Sequence, residues 1–190
     1  KREIITEIAA TLSFSAIQNN DKIGVLLFSE KNEKLILPQK GRKHILRIIR
    51  ELLEFEPESK GTDIPLALEY FTNMIKRHCS AFLISDFIGA GAMDKPLLIA
   101  SNRHEVNAIQ IYDRREAELP NIGLVKFHDA ESDNDLWIDT SLASVRGDYA
   151  QAWKENQDSL EQLFTRTGVN HISVRTDEDY VKALMHLFRC

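Results

Sequence analysis

Short apolar runs alternate along this chain with segments in which apolar residues recur every three or four positions. The runs IGVLLF (23–28), AFLIS (81–85) and NAIQIY (107–112) are rich in strand-forming residues. The segments between them, for example 41–55 and 62–77, carry helical periodicity. Strands that alternate with helices of this length predict an α/β domain with a mostly parallel sheet and helices on both faces.

The predicted elements are a helix, a strand hairpin, two helices, a strand, a helix, a strand, a second hairpin, a long helix, a strand and a last helix. We interpret residues 1–190 as one domain. The second hairpin joins GLVKFHD to DLWIDT across the polar stretch AESDN. Trp137 and Trp153 are expected to pack in the core. Cys79 and Cys190 form neither a disulfide framework nor a zinc-ligand pattern, so no role is assigned to them.

Composition and motif content exclude several classes of function. The chain carries 24 Lys and Arg against 29 Asp and Glu, a net charge of −5, and its cations are scattered, so no nucleic-acid partner is expected. No apolar run reaches the roughly 20 residues of a bilayer span and no signal-peptide pattern opens the chain, which favours the cytoplasm. Phosphate-binding loops, zinc motifs and nucleophile elbows are absent from the sequence, so we predict that the protein is not an enzyme.

Two carboxylates stand where predicted strands end. Asp86 follows AFLIS and Asp113 closes the strand at 104–113. In open α/β sheets ligands bind beyond the carboxyl ends of the strands, and Thr62, at the start of a helix, is expected at the same edge. Such oxygen ligands suit Mg²⁺. The structural alternative is that Thr62 caps the helix starting near Asp63, while Asp86 accepts hydrogen bonds from N–H groups of its own loop.

An ordered series of segments resembles a known family. The series is NDKIGVLLFSE, LPQKGRKHILRIIREL, KGTDIPLAL, FLISDF, RHEVNAIQIYDRREAELPNIG and WIDTS. It resembles, over nearly the whole chain, the bacterial von Willebrand factor A-like family catalogued as domain of unknown function fifty-eight. The resemblance implies a Rossmann-like fold and a metal-ion-dependent adhesion site, in which Thr62 and Asp86 would be ligands of Mg²⁺ or Mn²⁺. It also implies a non-enzymatic interaction module that works with a MoxR-type AAA+ ATPase in chaperone-like assembly.

The first contributor to such an adhesion site is not found in the sequence. In the wider fold it is an Asp-x-Ser-x-Ser loop after a central strand, and nothing before or within the first helix matches that pattern. We therefore expect an N-terminally truncated domain whose sheet lacks its first central strand, with weak or absent metal binding. Unpaired strand edges invite pairing with other chains, so dimerisation through such an edge is a further expectation.

Two alternative functions stay open. One is an enzyme or sensor that binds a nucleotide or phosphorylated ligand at the carboxyl edge of the sheet, with Asp86 and Asp113 as an acidic pair. A rise in melting temperature with nucleotides would distinguish it. The other is a structural module whose site has decayed, in which Asp86→Ala would change stability and no binding.

Overall fold

The computed structural model describes residues 1–59, 61–89, 91–128 and 135–188. Its elements are α1 (Arg2–Gln18), β1 (Ile23–Phe28), β2 (Asn32–Gln39), α2 (Arg42–Glu54), α3 (Ile64–Met74), β3 (Ser80–Ser85), α4 (Asp94–Arg103), β4 (Glu105–Tyr112), α5 (Arg114–Ala117), β5 (Leu124–His128), β6 (Asp135–Asp139), α6 (Ala143–Thr167), β7 (Asn170–Arg175) and α7 (Tyr180–Leu187). The fold is α/β, and the order of elements is the predicted one with α5 added.

The chain divides into two compact units. One consists of Lys1–Cys79 and Phe87–His104, and the other of Ser80–Asp86 and Glu105–Cys190. The first unit contains α1, β1, β2, α2, α3 and α4, and the second contains the remaining elements. Each unit is described separately below, and the interpretation of residues 1–190 as one domain stays a prediction.

In the first unit, β1 and β2 form the predicted antiparallel hairpin. Gly24 is required there because a Cβ at this position would lie 2.6 Å from the carbonyl oxygen of Ile36. The apolar face of the hairpin, Leu27 and Ile36, packs with Ile48 and Leu52 of α2 in one core cluster. The periodicity that predicts α2 therefore also determines which side of that helix is buried.

The remaining helices of the first unit pack in pairs. α1 lies against α2, and α3 lies against α4. Each pair buries large apolar side chains completely, namely Ile8 of α1, Ile64 of α3 and Leu97 of α4. Burial of one such side chain contributes roughly 1.5–3 kcal/mol, so these contacts supply much of the cohesion of this unit.

A buried histidine follows α4 in the same unit. His104 is 3% exposed, and its Nδ1 atom lies 3.5 Å from the Sγ atom of Cys79. Its ring also packs against Phe71, with 4.7 Å between ring centroids. Burial lowers the pKa of His104 below its ordinary value of 6.5, and the positive charges of His78 and Arg103 lower it further. The fold therefore favours the neutral form of this imidazole.

We expect this histidine to make the protein less stable in mild acid. Between its lowered folded pKa and 6.5, the unfolded chain binds a proton that the folded chain does not, so the free energy of unfolding falls as pH falls through that window. Urea unfolding of the wild type and His104→Leu at about pH 7 and about pH 5 measures this effect. The difference between the two pH values should shrink in His104→Leu and persist in the exposed control His186→Gln. An unchanged difference in His104→Leu would contradict the assignment.

In the second unit, three parallel strands form a sheet in the order β3, β4, β7. Every residue of the middle strand β4 from Val106 to Ile111 is buried, as is typical of a parallel strand covered on both faces. The mostly parallel sheet that the sequence predicts is confirmed in this unit. It is the element that positions Asp86 and Asp113.

The second hairpin, formed by β5 and β6, is also antiparallel as predicted. Its half-buried face carries Val125 and Ile138, whereas Trp137 lies on the alternate face and is 61% exposed. The expectation of a core position is therefore wrong for Trp137, because the hairpin forms its own two-stranded sheet. Trp153 is half-buried against Tyr112, with ring centroids 5.3 Å apart. The polar connection of the hairpin and Cys190 lie outside the described residues.

The described strands fall into separate sheets. β1 pairs with β2, β5 pairs with β6, and only β3, β4 and β7 form a larger sheet. No strand ladder in the described part of the chain joins the first hairpin to the three-stranded sheet. The expectation that the sheet lacks its first central strand stays a prediction.

Candidate functional site

Asp86 stands at the carboxyl end of β3, as the sequence predicts. β3 runs parallel to β4 with Ser85 opposite Gln110, and Asp86 is the next residue along the chain. The Asp86 side chain is partly exposed, whereas Ser85 before it and Phe87 after it are buried. A carboxylate is therefore presented at the edge where ligands of open α/β sheets bind.

Gln110 connects the ends of the three parallel strands. This residue is 3% exposed and lies near the carboxyl end of β4. Its Oε1 atom accepts a hydrogen bond of 2.8 Å from the Ser173 hydroxyl of β7, and its Nε2 atom donates to the Asp86 carbonyl oxygen at 3.5 Å. A buried amide with partners on both sides stabilises the sheet and fixes the backbone at the end of β3.

The backbone after Asp86 is strained. Phe87 has a φ of 57°, in the left-handed region that bulky side chains avoid, and the residue is 2% exposed. Such a conformation costs on the order of 1–3 kcal/mol and persists only where the surrounding structure holds it. Strain of this kind clusters at functional sites, so it supports the end of β3 as a candidate site.

Asp113, at the end of β4, has a structural role. Its Oδ1 atom accepts from the backbone N–H of Arg115 at 2.9 Å, and its Oδ2 atom accepts from the Thr176 hydroxyl at 3.1 Å. The Asp113 N–H in turn donates to the Glu116 carboxylate, which completes a capping box at the start of α5. Both carboxylate oxygens thus serve the fold.

Asp86 and Asp113 lie at the same edge of the sheet without being directly opposite one another. Ser85 pairs with Gln110, so Asp86 is one residue and Asp113 three residues beyond the same pair, an offset of two residues. That offset is about 7 Å along the strand direction. The offset and the capping role of Asp113 both weigh against the acidic pair of the enzyme alternative.

Thr62 lies in the first unit, in the loop before α3, and its side chain is exposed. It does not cap the helix, because Asp63 is the N-cap residue and its Oδ1 atom accepts from the Leu66 N–H at 2.8 Å. The structural alternative is therefore wrong for Thr62. Within the described residues no hydrogen bond of the Thr62 hydroxyl is present.

A network of side chains holds the loop that carries Thr62. Ser29 is 3% exposed; its hydroxyl donates to Glu33 at 2.6 Å and accepts from the Ser59 hydroxyl at 2.8 Å. The Ser29 carbonyl oxygen accepts from the Asp63 N–H at 2.9 Å. The Ser29 hydrogen bond lowers the pKa of the Glu33 carboxyl, because it stabilises the charged form. The loop is thereby fixed on both sides of Thr62.

The two predicted metal ligands are oxygen donors in different units. Thr62 belongs to the first unit and Asp86 to the second. Among the described residues, no group of three or more His, Cys, Asp or Glu side chains is arranged to hold a metal ion. A hydroxyl and a single carboxylate suit Mg²⁺ or Mn²⁺ chemically, but they supply only a part of an octahedral shell.

A parallel sheet among alternating helices, with a carboxylate at the carboxyl end of one of its strands, defines an α/β protein of the Rossmann-like class. Within that class, the chain belongs to the family described as Protein of unknown function DUF58, whose family model matches residues 1–159. The family membership that the sequence predicts is confirmed.

Similar proteins come from mycobacteria. An uncharacterised protein of Mycobacterium tuberculosis is 29% identical over 185 residues, which cover 95% of this chain and 57% of the relative. An uncharacterised protein of Mycobacterium avium is 31% identical over 129 residues, which cover 67% of this chain and 75% of the relative. The chain thus spans little more than half the length of the M. tuberculosis protein.

Two solved structures share the fold. The conserved hypothetical protein BatB from Bacteroides thetaiotaomicron superposes with a TM-score of 0.60 at 15% identity, covering 99% of this chain and 86% of that protein. An aerotolerance-related membrane protein from Bacteroides fragilis gives a TM-score of 0.59 at 15% identity, covering 97% and 89%. At 15% identity the likeness establishes the fold alone.

In the described part of our chain, no helix is long and apolar enough to cross a membrane.

Sequence reasoning missed Gln110 and the strained Phe87. A signal for Gln110 was present, because a glutamine inside the apolar run NAIQIY must find hydrogen-bond partners if that run is a buried strand. The conformation of Phe87 had no such signal, since phenylalanine is not a residue that favours a positive φ.

Proposed function

We propose that this chain is a non-enzymatic protein-interaction module that binds a partner through Mg²⁺ or Mn²⁺, with Thr62 and Asp86 as metal ligands. The observation that carries the proposal is the end of β3. There, Asp86 is presented at the ligand-binding edge of the sheet, next to a strained residue and beside the buried Gln110. Asp113 at the neighbouring strand end serves as a helix cap, so we assign the metal to the end of β3.

The metal is supported by the chemistry of the two donors. A hydroxyl and a carboxylate are hard oxygen ligands, and Mg²⁺ characteristically uses few protein ligands and retains several waters. When bound, such a cation would offer a coordination position to an acidic group of the partner. Because Thr62 and Asp86 are only two donors, we expect weak affinity in this chain by itself.

The proposed partner is a MoxR-type AAA+ ATPase, and the proposed process is chaperone-like assembly in the cytoplasm. Both rest on the resemblance of the sequence to von Willebrand factor A-like proteins. Membership of a family of unknown function and the shared fold are compatible with this role. The M. tuberculosis relative extends beyond the matched region, which covers 57% of it.

Metal binding tests the proposal directly. We expect calorimetric titration with Mn²⁺ and Mg²⁺ to show binding to the full chain that the gene encodes, weaker binding to residues 1–190, and loss of binding in Asp86→Ala and Thr62→Val. The control is Asp148→Ala, which removes an exposed carboxylate on α6. Equal binding in Asp86→Ala and Asp148→Ala would overturn the metal site.

The partner is tested with a purified MoxR-type ATPase from the same organism. Binding should require Mg²⁺ and should be lost in Asp86→Ala. If nucleotides raise the melting temperature of the chain instead, the enzyme or sensor alternative is supported. If Asp86→Ala changes only stability, the site has decayed and the chain is a structural module.

A further inference from the structure

Glu30 places a carboxylate beyond the carboxyl end of β1, which ends at Phe28. The Glu30 side chain is exposed, and in the described part of the chain its carboxylate forms no hydrogen bond or ion pair. The Glu30 backbone N–H donates to the Ser59 hydroxyl at 3.3 Å, in the loop before α3. The loop after β1 therefore brings a carboxylate without a described partner to the loop that carries Thr62.

The Glu30 side chain lies against Gly61, the residue directly before Thr62. A Cβ atom at Gly61 would lie 2.4 Å from the Oε1 atom of Glu30, 2.8 Å from its Cγ atom and 2.9 Å from its Cδ atom. These distances are too short for a real contact, so the Glu30 side chain occupies the space that any other residue at position 61 would need. Glycine thus leaves room for a carboxylate beside the backbone of the Thr62 loop, and all three residues belong to the first unit.

The neighbouring acidic side chains already have partners. Glu33 accepts hydrogen bonds from the Ser29 hydroxyl at 2.6 Å and from the Glu58 N–H at 3.0 Å. The Glu58 carboxylate pairs with Lys31. Within the described residues, Glu30 is therefore the carboxylate of this group that has neither a hydrogen-bond donor nor a cation.

Stability of the fold does not explain this arrangement. The Glu30 carboxylate makes no described contact that would stabilise the loop, and a glycine loses more conformational entropy on folding than another residue would. A carboxylate and the unpartnered hydroxyl of Thr62 are, in contrast, the hard oxygen donors that Mg²⁺ and Mn²⁺ prefer. The contact between Glu30 and Gly61 is therefore better explained by binding of a cation.

We propose that Glu30 is a further oxygen ligand of the divalent cation assigned above to Thr62 and Asp86. The inference rests on the proposed function, because it adds a donor to the same site. It gives the first unit two oxygen donors, Glu30 and Thr62, in place of one. It also supplies a second carboxylate, which favours a doubly charged cation.

The test is calorimetric titration of the full chain and its variants with Mn²⁺. Glu30→Ala should raise the Kd by about tenfold or more, because even the loss of a side chain that only supports a metal ligand has an effect of that size. Gly61→Ala should weaken binding similarly, because its Cβ atom displaces the flexible end of Glu30. The control Glu56→Ala removes an exposed carboxylate from a nearby position in the chain and should leave the Kd unchanged.

The number of water molecules on the bound ion distinguishes a ligand from a charge that acts at a distance. At saturating Mn²⁺, water-proton relaxation should report one more coordinated water in Glu30→Ala than in the wild type, and no change in Glu56→Ala. Weaker binding without the additional water would overturn the role of Glu30 as a ligand. Melting temperatures without metal should agree between Glu30→Ala and the wild type, which shows that folding is intact.

Failure of this inference can be told apart from failure of the proposed function. Wild-type affinity in Glu30→Ala, with binding lost in Asp86→Ala and Thr62→Val, would overturn the inference and leave the proposed function standing. Equal weakening in Glu30→Ala and Glu56→Ala would show an effect of net charge alone and would also overturn it. If the wild type binds no Mn²⁺, or if Asp86→Ala and Thr62→Val bind it normally, the proposed function fails and the inference fails with it.

Discussion

Replacing Ile109 by alanine is expected to lower the free energy of unfolding by about 4 kcal/mol. Ile109 is fully buried in the middle strand β4, where it stands between Ile84 of β3 and Ile172 of β7. Truncation removes three carbon atoms from a position flanked by strands on both sides, so the cavity cannot collapse easily. Stabilities of globular domains are about 5–15 kcal/mol, so the loss is a large share of the total.

Urea unfolding with a common m-value measures this loss. The matched control is Leu136→Ala in β6, whose side chain is 61% exposed, and it should cost less than about 1 kcal/mol. Similar losses at the two positions would mean that the β3–β4–β7 sheet does not form the core of its unit. A changed m-value in Ile109→Ala would indicate an altered unfolded or native state instead.

The second large effect is expected at Gln110. In Gln110→Ala, the Asp86 carbonyl oxygen loses its partner and a cavity opens in a buried strand, while the exposed Ser173 hydroxyl can bond to water, so we expect a loss of about 2–4 kcal/mol. Ser173→Ala leaves the Gln110 amide in place and removes fewer atoms than Gln110→Ala does. It should lower the free energy of unfolding by about 1 kcal/mol. The double variant should be more stable than the sum of the single losses predicts, because both changes remove one shared hydrogen bond.

The same variants connect the fold to the proposed site. If Gln110 fixes the backbone at the end of β3, Gln110→Ala should weaken Mn²⁺ binding although it removes no metal ligand. Ser173→Ala, which keeps the amide, should bind Mn²⁺ more nearly as the wild type does. Strict additivity in the double variant, measured by urea unfolding, would contradict the coupling through Gln110.

Family membership and the shared fold support only the general part of the proposed function. Family membership and the shared fold are established, and both are compatible with an interaction module. The proposed metal, the ATPase partner and the cytoplasmic location depend on the family resemblance and on Thr62 and Asp86. The variants at these two residues are therefore the decisive experiments.

Dimerisation through a strand edge stays a prediction, which sedimentation at several protein concentrations tests.

Local pattern was sufficient to predict the α/β class, the order of elements and the placement of Asp86 at a strand end. Hydrophobic periodicity carries this information because a helix and a strand each bury one face. The apolar side chains of that face recur at a fixed spacing in the sequence, whatever packs against them. The family was recognised separately, from the resemblance of an ordered series of segments. These features need no knowledge of long-range contacts.

Tertiary structure alone decided the roles of individual polar residues. Asp86 and Asp113 look alike in sequence, yet Asp113 caps α5 and binds Thr176, a residue 63 positions away along the chain. The structural alternative made Thr62 a helix cap, but its neighbour Asp63 has the geometry to accept the Leu66 N–H. Trp137 is exposed because its hairpin forms a separate sheet. Hydrogen bonds and exposure depend on which distant groups meet, and no local pattern encodes that.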